Sequence, residues 1–283
     1  MTSIVFLAVI GAALLHATWN ALLKGGTDKY VGMAAVVLGH VPFAALALSQ
    51  VPAPDPQSFG YLAAGVLLHG GYQIFLLHSY RVGDLTQVYP IARGSAPLIV
   101  ALVSVALLGV ALAPAEILAI VVIGAGILSL AVTRRADGLR NGKAALFALA
   151  TGGFIASYSL VDGIGARLAG TSVGYYSWLA ICNAALTTLY LLAVRPVTLT
   201  DLGRYGKTMF VIGGGASFIA YSLVTWAFTQ APIALVTALR ETSIVFALLI
   251  GVGFLRERLS LSKLLSTFVT LLGAALLRFA RHL

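Results

Sequence analysis

Two arginines stand where arginines are rare. Arg93 lies inside the apolar stretch Leu85 to Val110, and Arg240 lies inside ValThrAlaLeuArgGluThrSerIleValPhe, 147 residues downstream. A guanidinium keeps its charge and presents a fork that matches a carboxylate, phosphate or phosphonate bidentately. A charge within an apolar span is costly and marks a functional site by default. Glu241 follows Arg240 directly and is the one acid expected inside a span core. Two readings of it stay open: a proton-coupling site, or the counter-ion of Arg93 or Arg240. Adjacent helix positions do not face each other, so Arg93 is its expected partner. Pro90 and Pro97 bracket Arg93 and are expected to bend its helix. The other reading of both arginines is packing, with Glu241, carbonyls or tyrosines satisfying them.

Polar stripes supply a second set of candidates. His69, Tyr72 and Gln73 are spaced i, i+3 and i+4, which puts them on one helical face. His16, Trp19 and Asn20 do the same in the first apolar run, and Tyr158 and the pair Tyr221 and Trp226 stand in two later ones. Such stripes either bond to neighbouring helices or face a cavity. Four of them on four segments favour a cavity, so these residues join the arginines as expected substrate contacts. Asp162 and Glu116 fall at the edges of their segments and are expected to be wet. His40 and His78 are read as packed. His16 and His69, without carboxylate support, do not make a metal site. The runs Gly152-Gly153 and Gly213-Gly214-Gly215 are read as packing. No Ser/His/Asp set, zinc spacing, P-loop or dinucleotide fingerprint occurs. The chain is therefore not expected to be an enzyme or to need a cofactor.

The elements that must hold these residues are membrane spans. The 283 residues are 60% hydrophobic and 10% charged, with a mean hydropathy of +0.98; soluble domains carry roughly 25% charged residues. The net charge of +9 does not point to nucleic acid, because the basic residues cluster in short loops between apolar segments. A span needs about 20 apolar residues, and ten are expected: about 3–24, 30–50, 58–81, 85–110, 115–133, 143–162, 172–194, 207–229, 233–255 and 260–280. The first is read as a span, not a signal peptide. Cys182 is the single cysteine, so no intrachain disulfide is expected.

The chain divides near residue 138, in a charged loop, into halves that resemble each other. At an offset of 147, Arg93 meets Arg240, Ser95 meets Thr242 and Gly126 meets Gly273; at 139, Trp19 meets Tyr158. Five spans per half is odd, so the second half would be inverted relative to the first, a common transporter plan. Thirteen of the eighteen Lys and Arg fall in the loops after spans 1, 3, 5, 7 and 9, against Arg167, Arg278 and Arg281 on the other face. The positive-inside rule then puts both termini outside the cytoplasm.

HisAlaThrTrpAsnAlaLeuLeuLys from His16, the turn GlyPheLeuArgGluArgLeuSer from Gly253, and LeuLeuGlyAlaAlaLeuLeu from Leu271 resemble the EamA-type branch of the drug/metabolite transporter superfamily. The first half departs from the pattern, since ValAlaLeuAlaPro stands where a Glu-Arg-Leu turn would fall. The resemblance implies an all-α membrane protein of ten helices, two inverted five-helix repeats (1–138 and 139–283) around a central cavity lined by spans 1, 3, 4, 6, 8 and 9. Its implied function is carriage of a small metabolite. With the arginines, the expectation is a secondary transporter of a small organic anion working by alternating access. The alternatives are an exporter of neutral or cationic metabolites or drugs, a membrane enzyme, or a scaffold. The expected partners are a small-molecule substrate, the lipid bilayer and, through Glu241, a coupling proton. The chain is read as a monomer or homodimer, multi-pass, in the inner membrane of a bacterium.

Overall fold

The computed structural model describes residues 1–25, 28–82, 85–132, 142–253 and 261–279, and among these it is helical throughout, with no strand. The helices are α1 (Ser3–Gly25), α2 (Lys29–Leu48), α3 (Phe59–Val82), α4 (Leu85–Ala106), α5 (Pro114–Val132), α6 (Gly142–Leu168), α7 (Ser172–Val194), α8 (Val197–Tyr205), α9 (Gly214–Gln230), α10 (Ile233–Arg240), α11 (Ser243–Gly253) and α12 (Leu261–Phe279). Seven segments of the described residues are long and apolar enough to cross a membrane, with Ile233–Gly253 counted as one; Ile91–Ala106, Pro114–Ser129 and Leu264–Phe279 are shorter apolar helices. Residues 133–141 and the turn at 254–260, which holds Glu257, Arg258 and Leu259, lie outside the described residues.

The helix ends follow local chemistry. Asp28 caps α2, its Oδ1 accepting from the amides of Tyr30 at 2.8 Å and Val31 at 3.2 Å, which satisfies donors that a helix start leaves open. Thr171 caps α7 through the Gly174 amide. Gly170, at φ +68, occupies the left-handed conformation that closes a helix, so α6 runs on to Leu168 instead of ending near 162. That extension moves Asp162 from a span edge to a span interior.

Two features depart from the sequence expectation. The basic stretch from Arg195 to Lys207, expected as a loop, contains the short helix α8. The ninth span, with no proline inside, breaks, whereas α4 is one helix that includes both Pro90 and Pro97. Around Glu241 and Thr242 the amide bonds shorten to three-residue spacing, with Glu241 N to Ala238 O at 3.1 Å and Thr242 N to Leu239 O at 3.0 Å. The Thr242 hydroxyl also donates to Leu239 O at 2.8 Å. Side-chain bonds of this kind compete with the helical ladder, and they separate α10 from α11.

The chain forms two compact units. One comprises Met1–Phe6, Gly71–Leu160 and Ala231–Leu283; the other comprises Leu7–Gly70 and Val161–Gln230. Helices α1, α3 and α6 contribute residues to both. In the first unit α5 packs against α4 and α12, burying Ala96, Val100, Ile120, Ile123 and Ile127. In the second, α2 packs on α7 and α9 around Tyr175, Tyr176, Leu179 and Phe218. Here Gly39 and Gly214 face each other so closely that a Cβ on Gly214 would sit 2.7 Å from the Gly39 Cα, and one on Gly39 would strike the Phe210 carbonyl. A single-turn π-helix, Met209–Gly213, leads into α9 at this crossing.

Candidate functional site

In the first unit the two arginines share one carboxylate. Arg93 Nε on α4 lies 2.8 Å from Glu241 Oε2, and Arg240 Nε lies 3.9 Å from Glu241 Oε1. Arg93 Nη2 also donates to the Ser243 hydroxyl at 3.3 Å. All three charged residues are buried, at 5%, 4% and 1% exposure. Arg240 reaches its sequence neighbour because Glu241 sits in the break, where helical geometry no longer holds adjacent side chains apart. Both guanidiniums keep their charge and lie against the Glu241 carboxylate.

Three further candidates lie in the same unit. The rings of Tyr72 and Tyr158 meet edge-on at 5.7 Å, with Tyr158 buried. Gln73, the next residue on α3, is half-buried.

The second unit holds a cluster that hydropathy misplaces. Asp162, expected to be wet, is fully buried. Its Oδ2 lies 2.8 Å from His69 Nε2 and accepts from the Tyr221 hydroxyl at 2.7 Å, while Oδ1 accepts from the Tyr175 hydroxyl at 3.4 Å. His69 therefore has a carboxylate partner that its sequence surroundings do not show, and Glu241 is not the only acid within a span. Glu116 is buried too: its Oε2 accepts from the Ala113 amide at 3.0 Å at the start of α5, a capping arrangement. The signal for Asp162 is ValAspGlyIleGlyAlaArgLeu, where the small residues continue the helix past the acid to Arg167 and Gly170.

The remaining candidates of the second unit separate. His16 and Trp19 meet edge-on at 5.1 Å, and the Asn20 amide donates to His16 O at 2.7 Å within α1. Trp19 Nε1 is a buried donor without a partner among the described residues. Of the α9 pair, Tyr221 turns to Asp162, whereas Trp226 lines a cavity of about 410 Å³ with Arg167, Thr171, Thr229 and Gln230. Arg167 Nε donates to the Phe228 carbonyl at 2.8 Å there. His40 is buried against Phe218 and Tyr176. No cluster of three metal-ligating side chains occurs among the described residues.

The family model of EamA-like transporters matches residues 142–279. That match lies in the second half of the chain and is consistent with an EamA-type transporter. The match and the long apolar helices support an integral, multi-pass membrane protein. The EamA match takes in Arg240, Glu241, Asp162 and Tyr221. A solved crystal structure of a protein 20% identical to this chain covers 98% of it and 96% of its own length at a TM-score of 0.73, a likeness of fold. A comparison with curated proteins returns no match.

Proposed function

We propose that the chain is a secondary transporter of a small organic anion: a carboxylate, amino acid, phosphonate or phosphate ester. It works by alternating access in the inner membrane of a bacterium, as a monomer or homodimer, and is built from two inverted five-helix repeats, 1–138 and 139–283. The observation that carries the anionic preference is the buried group Arg93, Arg240 and Glu241, with two fixed positive charges and one negative. An isolated buried charge is strongly disfavoured. An anion entering this centre meets two guanidiniums and can take over the Arg93 contact that Glu241 makes at rest. The helix break at Glu241 and Thr242 falls at the same point, in keeping with transporters whose sites lie at discontinuous helices.

The test is a thermal-unfolding screen of the purified chain in detergent against amino acids, dicarboxylates, phosphate esters, phosphonates and organic amines. A ligand raises the midpoint according to its concentration over its dissociation constant. Stabilisation by at least one anion class supports the reading. Stabilisation by amines alone moves it to a cation or drug exporter.

A further inference from the structure

We propose that His69 and Asp162 are the site at which this transporter takes up and releases a coupling proton. The proposal rests on the transport reading but not on the anion preference. Besides Glu116, which caps the start of α5, two acids are buried among the described residues, and their partners differ in kind. Glu241 faces two guanidiniums, which have no proton to exchange. Asp162 faces an imidazole and two phenols, and imidazole is the side chain that exchanges a proton near neutral pH.

The geometry suits the task. A carboxylate and an imidazole 2.8 Å apart can hold one proton between them. With one proton between them, as carboxylate and imidazolium or as carboxylic acid and imidazole, the pair is neutral overall. Losing that proton to water leaves one negative charge in a dry site, which is costly. The side chain of Asp162 is wholly buried whereas that of His69 is 13% exposed, so the imidazole is the wet end through which the proton comes and goes. The Tyr221 and Tyr175 hydroxyls donate to the carboxylate, holding its oxygens in place in either state.

The approach of α3 to Asp162 depends on one residue. A Cβ at Gly65 would lie 2.6 Å from Asp162 Oδ1 and 2.9 Å from Leu179 Cδ1. Gly65 is one turn below His69 on the same face, so a side chain there would push the imidazole off the carboxylate. Titratable groups approach the pair from several elements among the described residues. From α2 comes His40, whose Nδ1 meets the Tyr176 hydroxyl at 3.5 Å. From α7 come Tyr175 and Tyr176, from α9 Tyr221, and from α3 Tyr61, packed at the edge of the same cluster. Arg167, farther along α6, is engaged with the Phe228 carbonyl. The Tyr176 ring lies 4.9 Å from that of Tyr221, which gives a change at Asp162 a packed route into α7.

The experiment needs no substrate. Backbone hydrogen exchange of the full chain in lipid nanodiscs is followed by mass spectrometry at about pH 5.5 and about pH 8, either side of the ordinary imidazole range, with the intrinsic rate corrected out. In the parent, protection of α3 and α9 is expected to change between the two. Asp162→Asn removes the acid and His69→Gln removes the base while keeping a donor; each is expected to lose that change. His69→Gln carries the test if Asp162→Asn does not fold. A parent with no pH response, or variants that keep the parent's response, overturns the proposal. So does a response that survives in both and vanishes only in Glu241→Gln, which would put the proton at Glu241. Absence of any ligand in the thermal screen would instead strike the transport reading.

Discussion

Arg93 and Glu241 hold Nε and Oε2 2.8 Å apart with both side chains almost wholly buried. The pair joins α4 to the break between α10 and α11. It is the contact that an anion bound through Arg93 Nε would have to displace.

Loss of one guanidinium should therefore weaken anion binding without unfolding the chain. Hydrogen bonds to charged groups contribute about 1.5–3 kcal/mol each, about ten- to a hundredfold in affinity. Arg93→Gln and Arg240→Gln are expected to lose that much for the anion found in the thermal screen, and Arg→Lys at either site to fall between, keeping charge but not the fork. Titration calorimetry measures it. Parent-like affinity in both Gln variants would defeat the anion site.

Glu241→Gln should behave differently. Removing one partner of a buried ion pair typically costs about 3–5 kcal/mol, and here it leaves two guanidiniums without their carboxylate. The unfolding midpoint is expected to fall, and a saturating anion to raise it more in the variant than in the parent, because the ligand then replaces the lost counter-ion. Equal ligand shifts in the two proteins would argue against competition between Glu241 and substrate.

Gly39→Val tests the crossing of α2 and α9. The added side chain would meet the Phe210 carbonyl and the Gly214 backbone, neither of which is a flexible tip. Overpacking costs about 1–3 kcal/mol. A lowered thermal midpoint is expected, whereas Gly153→Ala, whose new methyl would have nothing within 4 Å, should leave it unchanged.

Asp28 separates a cap from a salt bridge. It bonds the α2 amides, and its Oδ2 also lies 3.1 Å from Arg195 Nη2, with the Arg195 and Asp28 side chains 40% and 36% exposed. An exposed ion pair contributes about 0–1 kcal/mol and a cap about 1 kcal/mol. Asp28→Asn, which keeps the cap, should stay close to the parent, and Asp28→Ala should lose about 1 kcal/mol. Chemical denaturation compares them.

Orientation follows from the loop charges. A reporter fused after Leu283 that is active only outside the cytoplasm should be active, and one active only inside should be silent. The reverse result would overturn the count of basic residues as the guide to topology.

The apolar segments are legible because burial in lipid demands length and apolarity, which are local properties of the sequence. The two arginines are legible for the same reason: a charge in such a segment has no ordinary explanation. The pairing of Arg93 with Glu241 follows from there being so few charges to match. Asp162 is not legible, because its burial depends on where α6 ends, and Gly170 decides that eight residues later. Its partners His69, Tyr175 and Tyr221 come from three other helices, and hydropathy carries no information about which helices touch. The break at Glu241 and Thr242 escapes as well: no proline or glycine marks it, and the shortened amide bonds there show only in the folded chain. The sequence alone determined the membrane class and the placement of charge; the tertiary structure decided which charges meet, because packing between helices distant in the chain sets those distances.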